Sequence, residues 1–193
     1  MSSANPLTLL LAIAAGYLLG SIPMGVLLAR WLGWPDPRYH GSGHTGALNV
    51  SRGAGLVALF VVGAADVLKG LAAVGLASQL SANPWAVAGA GIAAVAGHNW
   101  PVWLGFSGGM GLSASAGALV MHAPLAILIT GIVLLAVRLL VIKHSPRAVI
   151  ASMAAVPPLL ILLHVPAPTF WLAVGCAALI ALRYTSNWNR VYP

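Results

Sequence analysis

The feature that most constrains the fold of this chain is a series of long apolar runs, separated by short segments rich in Gly, Pro, Ser and Asn. A helix that spans a bilayer needs about 20 largely apolar residues, whereas soluble domains carry charge on roughly a quarter of their residues. Here 60% of the residues are hydrophobic and only 6% are charged. The sequence therefore predicts an all-α integral membrane protein that forms a single polytopic domain over residues 1–193.

Hydropathy and helix-breaking residues predict about seven transmembrane or membrane-embedded helices. The first apolar run has no basic segment before it and no convincing cleavage site after it, so we expect a retained helix and an intact N-terminus. The fourth run is too short to span a bilayer alone and is expected to be a half-helix. The predicted helices cover residues 6–29, 54–80, 85–99, 110–121, 124–142, 148–164 and 168–183.

The placement of Lys and Arg predicts the orientation of these helices. With the N-terminus outside, alternate loops and the C-terminus lie in the cytoplasm, and the opposite connections contain no Lys or Arg, as the positive-inside rule requires. We therefore expect a multi-pass protein of the cell inner membrane whose active site faces the cytoplasm. The basic residues on that side are Arg30, Arg38, Arg52, Lys143, Arg147, Arg183 and Arg190.

The net charge of +7 does not indicate a nucleic-acid partner, because the basic residues are scattered and form no contiguous stripe. The single cysteine, Cys176, leaves no disulfide and no cysteine metal cluster to consider. Four of the histidines are dispersed along the chain, so we predict no metal site.

The segment 41–52, here called the first glycine loop, places small residues, hydrogen-bonding side chains and an arginine between two apolar runs. Glycines let a backbone turn its N–H groups towards an anion, and Arg52 offers a planar, bidentate partner for a phosphate. The alternative is an ordinary connection whose arginine only marks the cytoplasmic side. The candidate residues are Gly41, Ser42, Gly43, Asn49 and Arg52.

A second such segment, 97–111, is here called the second glycine loop. Three of its glycines directly precede a helical pattern, and the N-terminus of a helix favours negative charge. His98 either takes part in chemistry or makes a structural hydrogen bond that fixes the loop. Trp100 and Trp103 are typical of interfacial anchors. The candidates for phosphate binding are Ser107, Gly108, Gly109 and Gly111, with Ser113 as a further hydroxyl donor.

Asp66 and Lys69 lie three residues apart within an apolar helix, so they share one face. Charged groups inside a membrane are costly and usually pair or face a polar interior. They either form a local ion pair or orient the loops and a polar substrate group. The polar segment after the last helix contains Asn187 and Arg190, but the residues alone do not assign either of them a role in the site.

Together these segments resemble the bacterial membrane glycerol-3-phosphate acyltransferases that use acyl phosphate as the donor, and the resemblance covers essentially the whole chain. It implies a seven-helix fold and transfer of a fatty acyl group to glycerol 3-phosphate, which forms lysophosphatidic acid. It implies no metal, no other cofactor, no acyl-CoA and no covalent acyl-enzyme. The matching segments are residues 20–25, 41–52, 66–70 and 97–111.

On this resemblance, we expect Ser42, Arg52 and the glycine N–H groups to hold two phosphates. Asn49, His98 and Asn187 would order the loops and the attacking hydroxyl, and no residue is identified as the general base. The expected catalytic residues are Ser42, Arg52, His98 and Asn187, with Asp66 and Lys69 as supporting polar residues. The expected partners are acyl phosphate, glycerol 3-phosphate and membrane lipid, with a soluble acyl-phosphate synthase as a further candidate.

The chain departs from the family pattern at several positions. The family usually has lysine at the positions of Ser107 and Met110, asparagine at His44 and threonine at Leu48. Its C-terminal pattern His-Arg-x-Asn stands here as Tyr184-Thr185-Ser186-Asn187. Loss of a charged partner for a buried anion typically costs about 2–5 kcal/mol. One alternative is therefore a catalytically impaired paralogue that binds phospholipid precursors. A separate alternative is a small transporter of a polar solute, in which Asp66 and Lys69 would line the pathway.

Overall fold

The computed structural model describes residues 5–190, and every regular element within that range is a helix. The prediction of an all-α membrane protein is confirmed by these elements and by five segments, at Pro6–Leu32, Ala47–Leu80, Pro124–Val141, Ser145–Leu162 and Ala167–Thr185, that are long and apolar enough to cross a membrane. The helices are α1 (Pro6–Ser21), α2 (Met24–Leu32), α3 (Ala47–Leu80), α4 (Pro84–Asn99), α5 (Leu112–Leu119), α6 (Pro124–Ala136), α7 (Ser145–Ala154), α8 (Val156–Leu162) and α9 (Ala167–Thr185).

The first predicted helix, 6–29, is divided by a break at Ile22 and Pro23. Proline has no N–H group to donate and its ring crowds the preceding turn, so a helix usually ends or bends before it. The break leaves the carbonyl of Ile22 available, and the Lys69 ammonium of α3 donates to it at 2.9 Å. The interruption is therefore tied to a charged side chain of a neighbouring helix.

The second predicted helix began at residue 54, whereas α3 begins at Ala47 and bends at Gly55. Gly55 has a φ of 78°, a left-handed conformation that glycine adopts without steric cost. The prediction was wrong at this end because polar residues such as Asn49 and Ser51 look like loop, yet here they form the first turns of the helix. Arg52 consequently lies on a short helical segment that precedes the bend.

The remaining helices follow their predicted ranges with two interruptions. The α6 helix continues as a π-helical turn at Val137–Val141, and the predicted helix 148–164 is divided into α7 and α8 at Ala155. The α5 helix has eight residues and is about 12 Å long at 1.5 Å per residue. It is too short to span a bilayer alone, as predicted. The number of membrane crossings and their orientation stay predictions.

Small residues bring the central helices into backbone contact. A Cβ atom at Gly20 of α1 would collide with the carbonyl oxygen of Ala94 on α4, and one at Gly117 of α5 would collide with that of Val67 on α3. Close approach through small residues is the usual way in which membrane helices pack, because lipid provides no hydrophobic force between them. The α1, α3, α4 and α5 helices therefore form a tight scaffold from which both glycine loops extend.

Candidate active site

The first glycine loop is organised by one side chain, Asn49. Its Oδ1 accepts a hydrogen bond from the Ser42 N–H at 2.7 Å, and its Nδ2 donates to the carbonyl oxygens of Pro37, His40 and His44 at 2.8–3.1 Å. Asn49 is buried, and both ends of its amide are used within the loop. We therefore interpret Asn49 as a residue that orders the loop, which is one of the two roles expected for it; the phosphate contact stays a prediction.

The backbone of this loop turns at Gly41 and Gly43, which have φ values of 56° and 74°. Residues with a Cβ atom rarely adopt this conformation, which explains the glycines at these two positions. An added Cβ at Gly41 would lie 3.3 Å from Cδ of Arg52, so the exposed arginine lies directly beside the turn. The predicted proximity of Gly41, Ser42 and Arg52 is therefore present in the structure.

His44, which stands where the family usually has asparagine, is buried in the same loop. Its pKa is lowered to about 4, and burial of the imidazole is the largest cause. The charges of Arg183, Arg190 and Arg52 lower the pKa further, because each of them disfavours a second positive charge nearby. His44 is therefore neutral near pH 7. The contribution of these three arginines also shows that the first glycine loop and the end of α9 lie close together.

The second glycine loop uses its glycines differently from the prediction. The N–H groups of Gly108 and Gly109 donate to the carbonyl oxygens of Asn99 and His98, at 3.2 and 2.9 Å. These donors hold the loop against the end of α4, so in this conformation they do not face an anion. Added Cβ atoms would also collide with the carbonyl of His98 at Gly108 and with the imidazole of His98 at Gly109. The two glycines are needed for close packing.

The donors that remain lie one step further along the chain. Within residues 5–190, no acceptor is present for the N–H groups of Met110 and Gly111. Gly111 has a φ of 88° and caps α5, whose first N–H groups have no helical partner by their position. The backbone donors left at this helix N-terminus are therefore those of Gly111, of Met110 and of the first turn of α5. An anion site there stays a prediction, and Met110, noted in the sequence only for the missing lysine, offers it a backbone N–H group.

A buried cluster of three charged or titratable side chains lies beneath this loop. The Oδ1 atom of Asp66 lies 3.0 Å from Nζ of Lys69 and 3.4 Å from Nδ1 of His98. All three side chains are buried, and the imidazole of His98 lies against Gly109. Asp66 and Lys69 therefore form the predicted local ion pair and also connect α3 to His98 of the second glycine loop, whereas orientation of a polar substrate group stays a prediction. Among the described residues, no group of three His, Cys, Asp or Glu side chains could hold a metal ion.

The C-terminal end of α9 completes the site. Asn187 is buried, and its Nδ2 lies 4.0 Å from Sδ of Met110 and donates to Oγ of Ser186 at 3.0 Å. Tyr184 is buried in an apolar cluster against which Met110 packs. The structure thus brings Asn187 to the second glycine loop, as expected. Ser107, by contrast, is exposed at the edge of the loop.

Arg183 is the residue that the sequence analysis missed, because it was counted only as a cytoplasmic charge. Its Nε donates to the carbonyl oxygen of Gly109 at 3.1 Å, and its Nη2 donates to that of Gly108 at 3.3 Å. The only sequence signal for this role is its position in the last turn of a helix, directly before the polar segment that contains Asn187.

An apolar cavity of about 180 Å³ begins at the N-terminal end of α5 and extends between α5, α6, α8 and α9. Near the second glycine loop its wall includes Leu112 and Ile180, and at the far end it includes Leu119, Ala126 and Leu160. The backbone donors of Met110 and Gly111 therefore lie next to an apolar space of the kind that can hold a hydrocarbon chain.

The family model described as glycerol-3-phosphate acyltransferase matches residues 10–192 of this chain. The chain belongs to this family. A glycerol-3-phosphate acyltransferase from Gloeobacter violaceus is 40% identical over 183 residues, which cover 92% of this chain and 88% of the relative.

Two crystal structures of PlsY (YgiH), an integral membrane glycerol 3-phosphate acyltransferase, have a similar fold. Its glycerol 3-phosphate form is 32% identical with a TM-score of 0.81, and its lysophosphatidic acid form is 29% identical with a TM-score of 0.78. Each comparison covers 94% of this chain and 90% of the other. This similarity identifies the chain as a multi-pass membrane protein of the acyltransferase family.

Proposed function

We propose that this protein transfers a fatty acyl group from acyl phosphate to glycerol 3-phosphate, forming lysophosphatidic acid at the cytoplasmic face of the cell inner membrane. The observation that carries the proposal is the meeting of the second glycine loop with Arg183 and Asn187 of the α9 end, beside the first glycine loop. Family membership and the two ligand forms of the related PlsY support the same substrate and product. The lysine and arginine distribution supports the cytoplasmic orientation.

In this proposal the two phosphate groups are held by donors from both loops. Arg52 and Ser42 contribute from the first glycine loop, and the N–H groups of Met110, Gly111 and the first turn of α5 contribute from the second. Asn187 and His98 are proposed to order the attacking hydroxyl and the loop. A guanidinium and a helix N-terminus suit phosphate because both offer several N–H donors together with positive charge.

The reaction needs little covalent help from the protein, because acyl phosphate is already an activated mixed anhydride. The hydroxyl oxygen of glycerol 3-phosphate attacks the acyl carbon and forms the ester C–O bond. The C–O bond to phosphate breaks, and phosphate leaves with the electron pair. A phosphate oxygen accepts the hydroxyl proton in this scheme. Positioning of the reactants alone can contribute about 7–11 kcal/mol to such a step.

The acyl chain is proposed to occupy the apolar cavity between α5, α6, α8 and α9. The end of this cavity near Leu112 and Ile180 adjoins the anion donors, which is the place where the acyl carbon has to lie. The α6 wall of the cavity also carries exposed apolar residues on its other side, including Leu128 and Ile132, as expected for a helix that faces lipid. A chain could therefore enter from the bilayer.

The test is a direct assay of purified protein in lipid with acyl phosphate and labelled glycerol 3-phosphate. We expect lysophosphatidic acid from the wild type and a loss of at least tenfold in Arg52→Ala. A hydrogen bond to a charged group typically contributes about 1.5–3 kcal/mol, and about 1.4 kcal/mol corresponds to tenfold. Arg147→Ala, on the same predicted side of the membrane, is the control and should keep its activity. Folded wild-type protein that makes no product would overturn the proposal and favour the impaired paralogue.

The transporter alternative has no support from the Asp66 and Lys69 cluster, because these side chains contact each other and His98 and do not line the apolar cavity between α5, α6, α8 and α9. Uptake of glycerol 3-phosphate by proteoliposomes would be the result that revives it. A soluble acyl-phosphate synthase as a partner stays a prediction.

A further inference from the structure

Arg183 has an arrangement that its role as a cytoplasmic charge does not explain. It lies in the last turn of α9, half-buried, and two nitrogens on one edge of its guanidinium donate to two consecutive carbonyl oxygens, those of Gly109 and Gly108. Its Cζ also lies 5.9 Å from the ring centre of Trp100. A guanidinium held by two hydrogen bonds and an aromatic face has a defined position, which a surface cation does not.

The two carbonyl groups determine where the adjoining N–H groups point. A trans peptide unit is planar, and its C=O and N–H bonds point in opposite directions. Because the Gly109 carbonyl faces Arg183, the N–H of Met110 faces away from it. This N–H is followed by that of Gly111 and by the first turn of α5, which together form the row of donors proposed to bind phosphate. The guanidinium therefore fixes the direction of the first donor in that row.

Arg183 also acts on the first glycine loop, since its charge lies close enough to affect His44. It is thus a residue of the described chain that hydrogen-bonds to one loop and influences the other electrostatically. The chain has Ser107 and Met110 where the family usually has lysine. Arg183 therefore supplies positive charge beside a loop that lacks the two lysines usual in the family.

We propose that Arg183 is a positioning residue for acyl transfer: its guanidinium holds the carbonyls of the second glycine loop so that the N–H group of Met110, the first donor in the row, faces the substrate phosphate. The proposal rests on the proposed function. It differs from a purely electrostatic role, because it requires the two-point geometry of arginine and not only a positive charge.

The test uses the full-length protein in lipid and the variants Arg183→Ala, Arg183→Lys and Arg183→Gln, with Arg147→Ala as the matched control. Arg147 is also cytoplasmic by prediction and also lies over a tryptophan, with Cζ 5.1 Å from the ring centre of Trp188. We expect Arg183→Ala to raise the KM for at least one phosphorylated substrate tenfold or more. Arg183→Lys should recover less than a third of the lost kcat/KM, because an ammonium cannot bridge both carbonyls. Arg147→Ala should leave both KM values within twofold.

Two outcomes would overturn the proposal. Full recovery in Arg183→Lys would mean that charge alone is sufficient. A fall in folded protein or in kcat with both KM values unchanged would mean that Arg183 has only a structural role. If Arg183→Ala does not fold, the same comparison of KM and kcat with the wild type is made for Arg183→Lys and Arg183→Gln, since both keep a hydrogen-bond donor near the loop.

A second measurement separates this proposal from the proposed function. Amide hydrogen exchange without any substrate reports directly on residues 108–111. We expect faster exchange at Gly108 and Gly109 in Arg183→Ala than in wild type, and no change in Arg147→Ala. This result would stand even if the wild type made no lysophosphatidic acid. Unchanged exchange in Arg183→Ala would refute the positioning role, whatever the activity.

Discussion

His44 shows how burial and charge act on a single residue. Its pKa of about 4 lies below the ordinary value of about 6.5. The unfolded chain therefore binds a proton at a higher pH than the folded protein does. The contribution of this residue to the free energy of unfolding is fully present above about pH 6.5, falls as the pH decreases towards 4, and does not change further below that.

We predict that His44→Asn, which introduces the residue usual in the family, weakens the fall in stability between pH 6.5 and pH 4. The measurement is the unfolding temperature of the purified protein across pH 4–8. His122→Asn is the control, because His122 is exposed and lies in the connection before α6. A pH profile of His44→Asn identical to that of the wild type would contradict the prediction.

Met110 gives a second prediction at the residue scale. A lysine at this position would restore the family pattern, but its ammonium would enter the apolar surroundings of Tyr184 close to Arg183. We expect Met110→Lys to lower kcat/KM at least threefold in the lysophosphatidic acid assay, because like charges repel in a partly buried site. Met110→Leu preserves the volume and should stay near wild type. A large gain in Met110→Lys would instead indicate that the site is impaired.

At the scale of elements, the position of α5 depends on its contact with α3. A Cβ atom at Gly117 would collide with the carbonyl oxygen of Val67, and backbone atoms cannot yield as a flexible side chain can. We predict that Gly117→Ala displaces α5, lowers the unfolding temperature by several degrees and reduces activity. Gly75→Ala is the matched control, because no atom lies within 4 Å of the added Cβ and alanine favours the helix. Equal behaviour of the two variants would contradict this account.

The elements also show which parts of the structure the sequence could predict. Apolar runs determined the helices well, because only helices satisfy every backbone group in lipid. The break at Pro23 had a local signal that the prediction did not use. The bend at Gly55 had only a weak signal, since a glycine within a helix is common and its left-handed φ depends on the packing of both segments.

The candidate site was also predictable only in part. The glycine loops and Arg52 could be named from residue type and spacing, and Asn187 from the family resemblance. The hydrogen bonds of Gly108 and Gly109 could not, because composition does not reveal whether an N–H group faces a ligand or its own chain. Arg183 was missed because it contacts residues 74 and 75 positions earlier, and pairings at that distance follow from helix packing alone.

For the whole molecule, the prediction concerns orientation in the membrane. Cys176 is buried, so cysteines introduced elsewhere can be labelled with little background. We predict that an impermeant maleimide added to intact cells labels Ala82→Cys but not Ser107→Cys, and that both are labelled after the membrane is opened. Both original residues are exposed. The reverse pattern would place the glycine loops outside and contradict the proposed cytoplasmic site.

The backbone contacts of the glycines also determine how this protein can diverge. At Gly16, Gly20, Gly70 and Gly117 even one methyl group would meet a carbonyl oxygen of the neighbouring helix, so these positions cannot gain volume over evolutionary time. The outer residues of α6 meet no such limit and can exchange among Leu, Ile and Val. Bacteria with bilayers of different thickness and composition can therefore alter the lipid-facing shell of the protein, while the scaffold that carries its chemistry stays the same.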